Sequence, residues 1–157
     1  MDAAHLHLML NHFPLAGMLG ALMIVTLGRC SKNEALTRTG LALVVLTGAL
    51  TFPTFLTGEP AEKAIEHLPG ISESLIEAHE EAAEKIVWLV GIAAAISAAG
   101  LIQAFRKGVT PRWAVIGVLG LGVATAASLA WVNNLGGRIS HPEIRGKTTT
   151  SVSVPRS

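Results

Sequence analysis

Four stretches without a charged side chain set the terms for this sequence of 157 residues. They are Leu15 to Gly28, Leu41 to Thr57, Ile86 to Phe105 and Trp113 to Leu135, and the first is uncharged back to His12. A helix crosses the roughly 30 Å of bilayer hydrocarbon with about twenty apolar residues. One such run occurs in soluble proteins as a buried helix, but four in so short a chain do not. Charged residues make up only 15%, against about a quarter in a soluble domain. The expected fold class is all-α, an integral membrane four-helix bundle. It forms one domain over residues 1–147, with spans at about 8–28, 36–57, 85–105 and 113–135 and a polar tail at 148–157.

Other classes drop out on composition. A net charge of +1 and the lack of a basic patch with interleaved aromatics give no nucleic-acid partner. The single cysteine, Cys30, excludes an intramolecular disulfide. The first span is read as retained, because its only early charge is Asp2 and a cleaved signal starts basic. Leu27-Gly28-Arg29-Cys30 faintly resembles a lipoprotein cleavage box, which Arg29 spoils.

Basic residues in short loops set orientation. Arg29, Lys32 and Arg38 fall in the first loop, and Arg106, Lys107 and Arg112 in the third. Both are therefore expected on the cytoplasmic side of a bacterial inner (plasma) membrane. The two termini and the acidic central segment are expected outside, on the periplasmic side. That topology brings all six histidines (His5, His7, His12, His67, His79 and His141) to the outer face.

Local signals refine the elements. The first helix is expected either to start before Pro14 and kink there, or to have Pro14 as its first residue; in a continuous helix His5 and His12 share a face and His7 points nearly opposite. Pro53 lies near the outer end of the second helix and is expected to bend it. A short amphipathic helix is expected at 60–68. Ser74-Leu75-Ile76-Glu77 fits a capping box, which starts the third helix near Leu75. That helix of about thirty residues outruns the hydrocarbon and lifts His79 clear of it. The fourth helix is expected to stop at Asn133-Asn134-Leu135-Gly136-Gly137. Gly91, Ala95 and Ala99 on the third helix and Gly120, Ala124 and Ser128 on the fourth are small residues spaced by four, and are expected to pack these helices together. Trp88, Trp113 and Trp131 read as interfacial anchors.

The chemistry lies with the histidines. Haem b in a membrane bundle is held by two neutral imidazoles from different helices, one on each side of the ring. His12 and His79 are the expected iron ligands, with His5, His7 and His141 in reserve. Arg138 and Arg145 flank His141 and suit the haem propionates. The glycines at 17, 20, 40 and 48 are expected to leave room for a flat macrocycle. No catalytic residue set is legible, so the expected role is an electron-transfer or anchor subunit that needs a redox partner or a larger membrane complex.

Blander readings stand beside this one. A lone surface histidine is ordinarily solvated, and His67 is read that way. Met9, Met18 and Met23 are packing residues. Glu77, His79, Glu80, Glu81 and Glu84 have pairs three and four apart, so a site for copper, zinc or iron with His5 and His12 is the first alternative. A cofactor-free structural subunit is the second. Transport is disfavoured, because no charge lies inside any span.

From His12-Phe13-Pro14 onward the sequence resembles a family of bacterial four-helix membrane proteins catalogued as a domain of unknown function. The likeness continues in Thr39-Gly40, Thr57-Gly58-Glu59, Glu77-Ala78-His79-Glu80 and Gly136-Gly137-Arg138, covering about residues 4–146. The resemblance implies a loose association with haem b and respiratory electron transfer. It makes His12 and His79 conspicuous without assigning them a role.

Overall fold

A computed structural model describes residues 3–141 and 144–145. The polar tail expected at 148–157, and Pro142-Glu143, lie outside the described residues. The described residues are helical nearly throughout. α1 spans Ala3–Leu10, α2 Phe13–Cys30, α3 Glu34–Leu56, α4 Gly58–Ile65, α5 Glu73–Lys107 and α6 Arg112–Ser140. The four long segments of the chain are long and apolar enough to cross a membrane.

The four long helices form a closed ring in which α2 packs on α3, α3 on α5, α5 on α6 and α6 back on α2. The core holds Met18 and Val25 of α2, Leu41 and Val44 of α3, Val90 of α5 and Val118 of α6, all essentially inaccessible. Large apolar side chains also cover the outside, among them Leu19, Met23, Phe52, Ile92, Ile116 and Val123. Soluble monomers do not present apolar surface on this scale. Trp88, Trp113 and Trp131 are all exposed.

Close helix contacts use glycine where a side chain would collide. A Cβ on Gly40 would stand 2.7 Å from the Val25 amide nitrogen, and one on Gly28 would stand 2.5 Å from the Thr37 nitrogen. Gly17 sits against Thr47, and Gly48 against Ala94. These glycines bring helices together, so they do not make the room for a macrocycle expected of them; Gly20 simply faces open space. Buried hydroxyls on the long helices are satisfied within their own helix. Thr47, Thr51 and Thr54 donate to the carbonyls of Leu43, Thr47 and Leu50, and Ser97 and Thr125 donate to those of Ala93 and Leu121. A hydroxyl with a bond inside its own turn adds little polarity to an apolar interface.

The expected small-residue contact between the last two helices is corrected. Gly91, Ala95, Ala99, Gly120 and Ala124 are exposed, and nothing lies within 4 Å of a Cβ placed on Gly91 or Gly120. α5 and α6 do pack together, but through Gly100 against Ala114 and Gly117 against Ile96. Helices that are apolar all round carry little sign of which side faces inward, so spacing alone chose the wrong stripe.

Helix ends also differ in part from expectation. The first helix is interrupted at Asn11-His12, and α2 restarts with Pro14 in its first turn, where the missing N–H costs nothing. Ser72, not Ser74, precedes α5, and its hydroxyl meets that of Ser74 without capping the helix. α6 runs through Gly136-Gly137 to Ser140. Beyond it Arg145 donates to the carbonyls of Arg138 (2.6 Å), Ile139 (2.5 Å) and Gly70 (2.6 Å). Two of these are carbonyls left open at a helix C-terminus.

The two ends of the ring are chemically distinct. One end gathers the basic loops, where Arg38 reaches the Gly108 carbonyl, Arg29 pairs with Glu34 at 3.7 Å, and the Thr110 amide donates to Glu34. The other gathers α1, α4, the start of α5 and the end of α6, and with them the histidines.

Candidate functional site

At the histidine end, α1 and α4 lie against each other across the mouth of the bundle. Beneath them are two adjoining hollows of about 180 and 220 Å³, which share His7, Asn11, Gly58, Glu62, His79 and Asn133. The inner hollow runs down between α3, α5 and α6 to Ile86, Val87 and Leu129. The outer one lies among α1, α4 and α6 and adds His12, Ala61, Gly136 and Ile139.

His7 is half-buried. Its Nδ1 stands 3.1 Å from the Thr54 carbonyl and 3.2 Å from the Thr57 hydroxyl. Thr54 is among the last four residues of α3, so its carbonyl has no acceptor role left inside the helix. The Thr57 hydroxyl donates its proton to the Thr54 or Pro53 carbonyl, at 2.9 and 3.1 Å, and so can only accept from the imidazole. Both partners of Nδ1 are acceptors. Nδ1 therefore carries the proton, and Nε2 presents a lone pair.

His79 repeats this arrangement from the opposite side. Its Nδ1 stands 3.1 Å from the Val132 carbonyl of α6, which again fixes the proton on Nδ1. The ring lies over Gly136, where an added Cβ would come within 3.1 Å of Cε1. A glycine read in the sequence as a helix stop is thus the seat of this imidazole. Metal-ligating histidines are characteristically oriented by such an Nδ1–H bond to a carbonyl.

His7 falls just before the first expected span at about 8–28, and His79 before the third at about 85–105. Burial pushes each imidazole below its ordinary pKa, against the opposing pull of the carbonyl each one donates to, and a charge on His7 would depress His79 further. Both are neutral at pH 7, which is the ligating form. Glu62 of α4 lines both hollows. Burial, then the charges of Glu80 and Glu59, push its carboxyl up to about 7.

The remaining candidates sit outside this pair. His12 is exposed at the rim of the outer hollow, with Nδ1 on the side-chain oxygen of Asn11. His5 is exposed on α1, and His141 is exposed at the end of α6. His67 is exposed beside Glu66 at 3.3 Å. The guanidinium of Arg145 is engaged by three carbonyls, whereas Arg138 lies half-buried on the last turn of α6. His7 is the residue that sequence reasoning ranked too low. His5 and His12 are exposed on one side and His7 is turned to the hollows on the other, the opposed facing that the spacing predicts; the spacing did not show which side faces inward.

No family model, curated protein or solved structure matches the chain. The likeness at His12-Phe13-Pro14 gains no relative from these comparisons, and its implication of haem is a proposal.

The donor set separates two kinds of occupant. Among the described residues, no group of three or more His, Cys, Asp or Glu stands in a ligating arrangement. A bare metal ion in a protein site commonly takes three or four side-chain ligands. Haem brings four equatorial nitrogens and takes only two axial ligands from the protein. Two oriented imidazoles on different helices match that ligand count, whereas neither hollow, at about 180 and 220 Å³, is open enough to take the whole ring.

Proposed function

We propose that the chain is a membrane-embedded, haem b-binding protein, a cytochrome b-like electron-transfer or anchor subunit whose axial ligands are His7 and His79. The observation that carries this reading is the pair of Nδ1 bonds to the Thr54 and Val132 carbonyls, made by two histidines that line the same hollows. His7 replaces His12 in the expected pair, because His12 stands exposed at the rim.

When bound, the haem supplies a one-electron couple. The chain's own residues bind and orient. The Thr54 and Val132 carbonyls fix ring rotation and proton position. Gly136 and Gly58 leave space beside the imidazoles, with Cβ approaches of 3.1 Å to His79 and 3.7 Å to His7. α1 and α4 lie against each other over the hollows. Among the described residues, Arg138, half-buried on the last turn of α6, is offered to a propionate. The basic loops support a cytoplasmic assignment for the opposite end, which puts the histidine site and both termini on the periplasmic side of a bacterial inner membrane. A partner or larger complex there would exchange the electron.

The second reading is a copper, zinc or iron site. Glu62 lines both hollows with His7 and His79, although the three do not stand in a ligating arrangement. The test is an absorption spectrum of detergent-solubilised protein expressed with haem supply. A sharp Soret band, with α and β bands on reduction, is expected. His7→Ala and His79→Ala should each abolish or shift it, whereas His12→Ala should leave it in place. A flat visible spectrum after added haem refutes the cytochrome reading, and elemental analysis for copper, zinc and iron then decides between the ion site and a cofactor-free structural subunit.

A further inference from the structure

At the end opposite the histidines, the four long helices end or begin at two short turns. α2 stops at Cys30 and α3 starts at Glu34, while α5 stops at Lys107 and α6 starts at Arg112. These turns and their flanks hold six cations, Arg29, Lys32, Arg38, Arg106, Lys107 and Arg112, against one carboxylate, Glu34. That carboxylate is already shared. It stands 3.7 Å from Arg29, accepts from the Thr110 amide at 3.0 Å and lies in the field of Arg38. It cannot neutralise the whole group, and uncompensated cations at a bilayer surface attract anionic headgroups.

Arg38 marks where that attraction becomes a site. Its Nη2 donates to the Gly108 carbonyl, which holds the guanidinium at the end of α5, and its Nε has no partner among the described residues. The guanidinium lies 5.9 Å from the centre of the Phe105 ring, within cation–π range. Phe105 is 74% exposed, and the exposed Arg106 follows it. Arg38, Ala42 and Val45 are three or four residues apart and share a face of α3, as Ile102 and Phe105 share one of α5. The contact of Arg38 with Phe105 joins the two faces, so an apolar seam leads away from the guanidinium along the outside of the bundle. Ala42 and Ile102 are exposed along it. A free phosphate would use the cations alone, whereas a phosphodiester with acyl chains uses the cations and the seam together.

We propose that this end binds an anionic phospholipid, with its phosphate between Arg38 and Arg106 and an acyl chain against Ala42 and Ile102. The planar fork of Arg offers paired N–H donors to the phosphate oxygens. None of the six histidines lies at this end, so the lipid site stands or falls apart from the haem reading.

The test is native mass spectrometry of the full chain in neutral detergent, with dioleoyl phosphatidylglycerol, dioleoyl phosphatidylcholine or glycerol 3-phosphate added. Phosphatidylglycerol is expected to bind about tenfold or more tighter than phosphatidylcholine, whose headgroup carries its own cation, and glycerol 3-phosphate should not displace it. Arg38→Gln and Arg106→Gln should each weaken phosphatidylglycerol binding roughly fivefold, the factor for about 1 kcal/mol per cation, with helicity by circular dichroism unchanged. Lys63→Gln removes the same charge from an exposed side chain at the histidine end and should leave binding as it is. If Arg38→Gln loses helicity, Arg106→Gln decides alone, because its side chain is exposed. Equal binding of the two lipids, or an equal loss in Lys63→Gln, overturns the site. Displacement by glycerol 3-phosphate at the lipid's own concentration overturns the lipid as ligand and leaves a site for free phosphate esters.

Discussion

Gly40→Ala tests the packing on which the whole site hangs. The added methyl carbon would stand 2.5 Å from the Val25 Cγ2, 2.7 Å from the Val25 nitrogen and 3.1 Å from the Ala21 carbonyl oxygen. The first neighbour is a short, branched side chain and the other two are helix backbone, so no flexible group can move aside. Ordinary contact begins near 3.4 Å, so α2 and α3 must part by more than half an ångström at their crossing. The separation loosens Met18, Val25, Leu41 and Val44, which are all fully buried. Overpacking a dense core costs about 1–3 kcal/mol, while alanine recovers about 1 kcal/mol of helix propensity. A net loss of roughly 1–2 kcal/mol is expected. Gly91→Ala and Gly120→Ala are the controls. Neither meets an atom within 4 Å, so propensity alone should leave them unchanged or up to about 1 kcal/mol more stable. The assay is unfolding of micellar protein by titrated dodecyl sulfate, followed by circular dichroism. A Gly40→Ala protein as stable as wild type, together with destabilised Gly91→Ala and Gly120→Ala, would refute this packing and restore the outward stripe as a helix contact.

Two further outcomes follow from the site. Gly136→Val places carbon where Cε1 of His79 lies and should break the bond to the Val132 carbonyl, seen as weakened haem retention in protein whose dodecyl sulfate unfolding is near wild type; unchanged retention argues against Gly136 as the seat of the ring. Burial, then the charges of Glu80 and Glu59, push the Glu62 carboxyl in the folded protein up to about 7 from its ordinary value of 4.5. The folded state therefore keeps a proton that the unfolded state has lost between those values, and stability should fall as pH rises through that window. Glu62→Gln should equal wild type near pH 4 and exceed it near pH 8 in the same unfolding assay; a variant less stable than wild type near pH 8 contradicts the raised pKa.

What the sequence made legible, and what it did not, divides along a physical line. Charge-free length revealed four helices able to cross a membrane, because the cost of putting a charge in hydrocarbon is large and local to each run. The basic loops and the histidines were separable for the same reason, as they fall between those runs. Facing was not legible. Gly91, Ala95 and Ala99 were chosen by spacing, yet Ala93, Ser97, Gly100 and Ala104 point inward. A helix apolar on every side offers no polar face to set the phase. His7 was ranked low because it points away from His5 and His12, and that side of α1 is the one that faces the hollows. Gly136 was read as a terminator, since its role depends on a ring arriving from α5, more than fifty residues earlier in the chain.

The His79 bond to the Val132 carbonyl has a consequence for biosynthesis. Chains are made and begin to fold from the N-terminus. His7 is among the first residues to emerge, and the α3 carbonyl that orients it follows soon after. His79 has no carbonyl to orient it until α6 is complete, because both its acceptor and its glycine seat lie in that last helix. The site therefore closes only after every long helix is in place, and a chain truncated or stalled before α6 offers one oriented imidazole instead of two. Ligand loading at this pair would then report on completed assembly of the whole bundle.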